Sequence, residues 1–156
     1  MVGYLQRGST MVEILVSVVV IAIGLLGIAA LQGNSIGFNH SAHLRSIATS
    51  QASNMADRMR ANPDGRDSGA YNTISGIPSN PSCTTCTPTE MAVKDTYQWN
   101  SINATLLPSG QGTVVRNGTR YTITIRWDGN RTGATGTNCS GNTNVDLSCF
   151  ILEVQL

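Results

Sequence analysis

Charge is what this chain has least of. Only 12% of its 156 residues are Asp, Glu, Lys or Arg, ten basic against nine acidic, and Lys94 is the single lysine. So even a balance gives no strong field of one sign, which speaks against a protein recruited to nucleic acid or to an anionic surface by charge alone. No proline precedes Pro63, so no residue of that kind interrupts a helix over the first 61 positions. Also missing are a phosphate-binding glycine loop, HExxH, GxSxG and any paired-carboxylate signature. No catalytic residue, cofactor or metal site is therefore assigned. The two histidines, His40 and His43, fall in the proline-free stretch and read as solvated or contact residues.

What is present begins at Gly8-Ser9-Thr10-Met11-Val12-Glu13, followed by an apolar run over residues 14–31. From Ile14 to Leu44 no residue carries a fixed charge. About 20 apolar residues in a helix cross the hydrocarbon core of a bilayer. A carboxylate at the edge of such a run is costly without a partner, so Glu13 is a functional candidate. Residues 1–7 carry one positive charge, at Arg7. An ordinary secretory signal has a shorter apolar core and a small-x-small site after it; here Asn34 and Ser35 follow the run instead. The better cleavage point lies before the run, at Gly8-Ser9, and it leaves the hydrophobic helix on the mature chain. With Arg7 on the cytoplasmic side, the remainder faces outward.

Beyond the apolar run the pattern becomes amphipathic. Leu44, Ala48, Ala52, Met55 and Met59 recur at helical spacing, which predicts one long helix from Ser9 to Ala61 with a stripe that needs covering. Asn62-Pro63-Asp64-Gly65 ends it. Residues 65–88 read as loop. Thr87-Pro88-Thr89-Glu90 is a capping box that starts a second helix, with Ala92, Trp99, Ile102 and Leu106 on its expected buried side. Residues 112–116 and 119–127 flank Asn117-Gly118, a hairpin signal. In the second of these strands Tyr121, Ile123, Ile125 and Trp127 alternate with polar residues. A Gly/Thr/Asn-rich loop over 128–144 leads to a last strand over 147–156, with Phe150, Leu152, Val154 and Leu156 on one face. The expected architecture is α+β, an antiparallel sheet packed on the C-terminal half of a long helix.

Several blocks resemble the type IV pilins and their pseudopilin relatives. The first is the Gly8, Ser9 and Glu13 constellation. Residues 22–32 (AIGLLGIAALQ), 55–63 (MADRMRANP), 86–91 (CTPTEM, with Asp95 and Trp99 beyond) and 121–127 (YTITIRW) are similar to the PilV-like minor pilins. The resemblance implies the type IV pilin fold. It implies a leader over 1–8, a transmembrane and assembly segment over 9–32, and a head over 33–156. It implies a prepilin peptidase that cuts after Gly8, requires Glu13 and methylates the new N-terminus. The family usually has Phe or another apolar residue after the cut, where this chain has Ser9.

Four cysteines admit zinc or disulfides. Cys83-x-x-Cys86 has ligand spacing, but Cys139 and Cys149 are spaced unlike a zinc ribbon. An exported domain lies where disulfides persist. Of the three connectivities, Cys83–Cys86 with Cys139–Cys149 is favoured; the second pair would staple the loop to the last strand, as pilins commonly staple their C-terminal region.

The expected function is that of a minor pilin which primes and assembles a type IV pilus, supporting twitching motility, adhesion and DNA uptake indirectly. Its expected partners are other minor pilins, the major pilin, the prepilin peptidase, the inner-membrane assembly platform and, before assembly, membrane lipid. Within a filament Glu13 would pair with the N-terminal amine of a neighbouring stem. A type II secretion pseudopilin is the nearest alternative. An outward-facing adhesin or DNA-binding pilin is the other, resting on Arg116, Arg120, Arg126 and Arg131 as one basic face. A solvated strand face explains those arginines more simply, so nucleic acid is not an expected partner.

Overall fold

The structure is a computed structural model that describes residues 10–156; the expected leader over 1–8 and the expected cleavage point at Gly8-Ser9 lie outside them. The chain divides into two compact units, the first ending at His40 and the second Ser41–Leu156. One helix, α1 (Met11–Ala61), supplies all the described regular structure of the first unit and opens the second.

In the second unit the helical stripe is buried as its spacing requires. Leu44, Ala48, Ala52, Met55 and Met59 are joined there by Ala56. They share one core with Ile74, Trp99, Val114, Tyr121, Ile123, Ile125 and Trp127. Full burial of each large apolar side chain is worth about 1.5–3 kcal/mol, so this layer is the main source of the head's cohesion. The result is α+β: a helix packed on a four-stranded antiparallel sheet, consistent with a type IV pilin fold.

The sheet order is β1-β2-β3-β4, with β1 Thr73–Ile74, β2 Gln111–Asn117, β3 Arg120–Trp127 and β4 Ser148–Gln155. Alternation along β3 puts Tyr121, Ile123, Ile125 and Trp127 into the core. Phe150, Leu152, Val154 and Leu156 pack against the same core from the edge strand and stay half-buried.

Three local expectations are corrected. Residues 65–88 are not all loop. A short helix, α2 (Pro63–Asp67), runs into that segment, capped by Asn62, whose side chain accepts from the Gly65 N–H at 3.1 Å; β1 then adds an edge to the sheet. The hairpin turn is displaced by one residue. Asn117 pairs with Arg120, so the loop is Gly118-Thr119, and only Gly118 has positive φ, at 63°. That is the pattern with glycine first, rather than the Asn-Gly turn that needs two left-handed residues.

The second helix, α3 (Pro88–Leu106), has the expected capping box at Thr87 and Glu90 but a different buried side. Ala92 and Trp99 are buried with Asp95, Thr96, Asn100 and Asn103, whereas Ile102 and Leu106 are 38% and 46% exposed. The polar residues win because the helix faces the backbone of β2. Asn100 Oδ1 accepts from Gly112 N–H at 2.7 Å, and its Nδ2 donates to Gly112 O at 3.1 Å. An apolar side chain there would leave both groups unpaired in the interior.

Candidate functional site

The first unit presents the chemistry most unlike an ordinary folded domain. Its described residues are mostly aliphatic, and they form a helix with no covered side. Val12, Leu15, Leu26, Leu31 and Phe38 are each 66–76% exposed. A core helix of a water-soluble domain hides such residues; here none of the most apolar stretch is buried. It is long and apolar enough to cross a membrane. Gly24, Gly27, Gly33 and Gly37 have open space where a Cβ would stand, so close approach of another helix meets no side chain at those points.

Glu13 lies in the first turn of α1 and is exposed. Its N–H donates to Thr10 O at 3.0 Å, and the Ile14 N–H donates to the same oxygen at 3.3 Å. A carboxylate in this position complements the partial positive charge of the helix N-terminus, an effect of about 0.3–1 kcal/mol at an exposed end. The Ser17 hydroxyl donates to Glu13 O at 2.7 Å, so it brings no unpaired donor into the apolar surface. Glu13 is the only residue with a fixed charge between Met11 and Leu44.

The other candidate residues are in the head. Cys83 is bonded to Cys86 and Cys139 to Cys149, and none of the four is free. Among the described residues no group of three or more His, Cys, Asp or Glu is placed to hold a metal.

The four arginines do not lie on one face. Arg116 pairs with Tyr121 across β2 and β3, which puts it on the core side of the sheet, its guanidinium 5.5 Å from the Tyr121 ring centre. Arg120 and Arg126 belong to the opposite face by strand alternation. Arg120 lies 3.7 Å from Glu153. Arg126 donates to Thr113 Oγ1 at 2.9 Å and Thr137 O at 3.0 Å, and burial lowers its pKa. Arg131 is in the following loop with φ 52°.

Sequence reasoning missed three carboxylates that organise the head. Asp95 receives Arg58 Nη1 at 2.9 Å on Oδ1 and the Tyr71 hydroxyl at 2.6 Å on Oδ2. Asp128 accepts from the N–H groups of Thr132 at 3.1 Å and Gly133 at 2.8 Å. Asp146 accepts from those of Asn138 and Ser140, both at 3.3 Å. Burial pushes the Asp128 carboxyl up, but donors from Gly133, Thr132 and Arg131 outweigh it and hold it below its usual value. The Ser140 side chain, then the N–H donors, hold Asp146 below its own against burial. For Asp128 and Asp146 the only sequence signal was an Asp within a Gly/Asn-rich loop, where such carboxylates cap turns; Asp95, inside α3, gave none.

Residues 4–29 match the family model described as the prokaryotic N-terminal methylation motif. The matched segment runs from Tyr4 through Glu13 into the exposed apolar helix, and the motif is that of a type IV pilin-like prepilin signal. No curated protein sequence and no solved structure matches the chain.

Proposed function

We propose that this chain is a minor pilin. Its prepilin-type signal is cut after Gly8, the new Ser9 amine is methylated, and the apolar helix becomes a stem that packs among the stems of other pilins. The observation that carries the reading is a membrane-length apolar helix, exposed around its circumference, directly continuous with the methylation motif. Such a surface needs lipid before assembly and other apolar helices after it. The head is the outward part; its two disulfides suit an oxidising compartment.

In this reading Glu13 pairs with the Ser9 amine of a neighbouring stem. Neutralising two charges inside an apolar bundle fixes the axial register of the subunits. The partners are other minor pilins, the major pilin, the prepilin peptidase and the inner-membrane assembly platform. The subunit primes assembly, and motility, adhesion and DNA uptake depend on it indirectly. A secretion pseudopilin uses the same signal and stem and is distinguished by which filament contains the chain. An adhesive or DNA-binding head draws less support, because the arginines that would serve it are divided between two faces and mostly engaged.

The test is recovery of correctly cleaved Glu13 variants in sheared pili and in complexes with the other minor pilins. Glu13→Ala inserts into the membrane and folds its head but is depleted from both fractions, with Glu13→Gln nearly as depleted. Wild-type recovery of cleaved Glu13→Ala in both would remove the registration role.

A further inference from the structure

The two disulfides sit in unlike surroundings. Cys83 and Cys86 are joined across Thr84 and Thr85, both exposed. Among the described residues, none shares a backbone–backbone hydrogen bond with residues 77–86, and neither cysteine belongs to the buried core. Opening this bond releases no ladder and unpacks no core side chain. Closing so short a loop also removes little entropy from the unfolded chain, since that effect grows with loop length.

The other pair is held on both sides. Cys149 is part of β4, opposite Arg126. The residues flanking Cys139 are fixed by their N–H bonds to Asp146. Those constraints do not depend on the sulfur–sulfur bond, so the two thiols stay close after reduction and the bond re-forms readily.

Cys86 has a further distinction. It immediately precedes Thr87, the N-cap of the 19-residue helix α3. The positive end of a helix dipole favours a thiolate, and Cys-x-x-Cys spacing is one in which thiols are acidic. An acidic thiol is a good leaving group in exchange.

From these placements we propose that Cys83–Cys86 is a thiol–disulfide exchange site on the head, whose substrate is a small thiol, while Cys139–Cys149 is structural. A thiolate RS⁻ attacks the Cys83 sulfur. The Cys83–SR bond forms as the Cys83–Cys86 bond breaks, and the electron pair leaves on Cys86, which takes a proton from water. A second thiolate attacks the RS sulfur, releasing RSSR and the Cys83 thiolate, which is protonated in turn. Two RSH are oxidised to RSSR and the Cys83–Cys86 bond gains two electrons. This chemistry does not depend on the pilin reading.

The test uses the full chain in detergent, equilibrated across a series of reduced and oxidised glutathione, quenched by alkylation and mapped by peptide mass for each cysteine. Cys83–Cys86 is expected to be half-reduced at a [GSH]²/[GSSG] at least tenfold lower than Cys139–Cys149, a separation of about 30 mV. The Cys86→Ser variant is expected to collect a glutathione adduct on Cys83 while its Tm stays within about 2 °C of wild type. Three results would overturn the proposal: equal or inverted reduction midpoints, no adduct at Cys83, or a Cys86→Ser head that melts far earlier or does not fold, which would make this bond a staple.

Discussion

The Tyr71 hydroxyl donates to Asp95 Oδ2 at 2.6 Å, and that contact joins the segment after α2 to the middle of α3. Arg58 of α1 holds the other carboxylate oxygen and also donates to Gln98 Oε1 at 2.9 Å. Asn62 Nδ2 donates to the Tyr71 oxygen at 3.1 Å and to Pro88 O at 2.7 Å. Burial, then Asp95, push the Tyr71 phenol well above its usual range, so it remains a donor. The cluster ties the C-terminal end of α1 to α3 and to the segment after α2.

Asp95→Ala is therefore expected to be among the most damaging polar substitutions in the head. Removing one member of a buried ion pair costs about 3–5 kcal/mol. The Arg58 side chain is 22% exposed, so water recovers part of that, leaving a loss of about 2–3 kcal/mol. Asp57→Ala, which removes the exposed Arg60 partner, should cost under about 0.5 kcal/mol. Thermal unfolding of the two variants, followed by circular dichroism, compares them; equal Tm losses would count against the cluster.

Acid should loosen the loop between β3 and β4 before it unfolds the core. Asp128 and Asp146 have folded pKa values below their usual ones. Their stabilisation is complete above the unfolded value of about 3.9 and is lost as pH falls through the lower folded values. Hydrogen exchange at the Gly133, Asn138 and Ser140 amides is expected to accelerate as pH falls below about 4, after correction for intrinsic rates, ahead of β3 amides. Simultaneous loss of protection in loop and strand would contradict this.

Gly112→Ala should destabilise the head. A Cβ at Gly112 would run into the ring of Trp99 and the Asn103 side chain. The ring has little freedom to move, because it is fully buried and its Nε1 donates to Gln51 O at 2.8 Å. Overpacking of this kind costs about 1–3 kcal/mol. Gly24→Ala, where a Cβ meets nothing, is expected to leave the head's Tm unchanged. The same Tm for Gly112→Ala and wild type would show that the Trp99 contact is slack.

Much of the fold was legible because its signals are local. The stripe from Leu44 to Met59 follows the helix period, Thr87 and Glu90 cap a helix three residues apart, and Tyr121 to Trp127 alternate as a strand must. Apart from the short helix α2 and the one-residue shift of the hairpin turn, the failures concern residues whose partners are distant in sequence. Asn100 and Asn103 sit on the helical face shared by Ala92 and Trp99. An apolar criterion passes them over for Ile102 and Leu106, since nothing nearby announces the backbone of Gly112. Asp95 needed Arg58 and Tyr71 to become a buried hub. The arginines failed as one face because strand register, rather than strand composition, puts Arg116 with Tyr121. At the N-terminus the reverse holds: Gly8, Ser9 and Glu13 were conspicuous as a motif, and the contact proposed for Glu13 belongs to an assembly of several chains.

The central claim is that the apolar helix becomes the N-terminal stem of a filament subunit. The most direct measurement is the intact mass of this chain recovered from sheared pili and, separately, from membranes. A species beginning at Ser9, present in the pilus fraction as well as the membrane, is the expected result. A chain confined to membranes and beginning at Met1, or one cut beyond Leu31 so that the helix is lost, would contradict it.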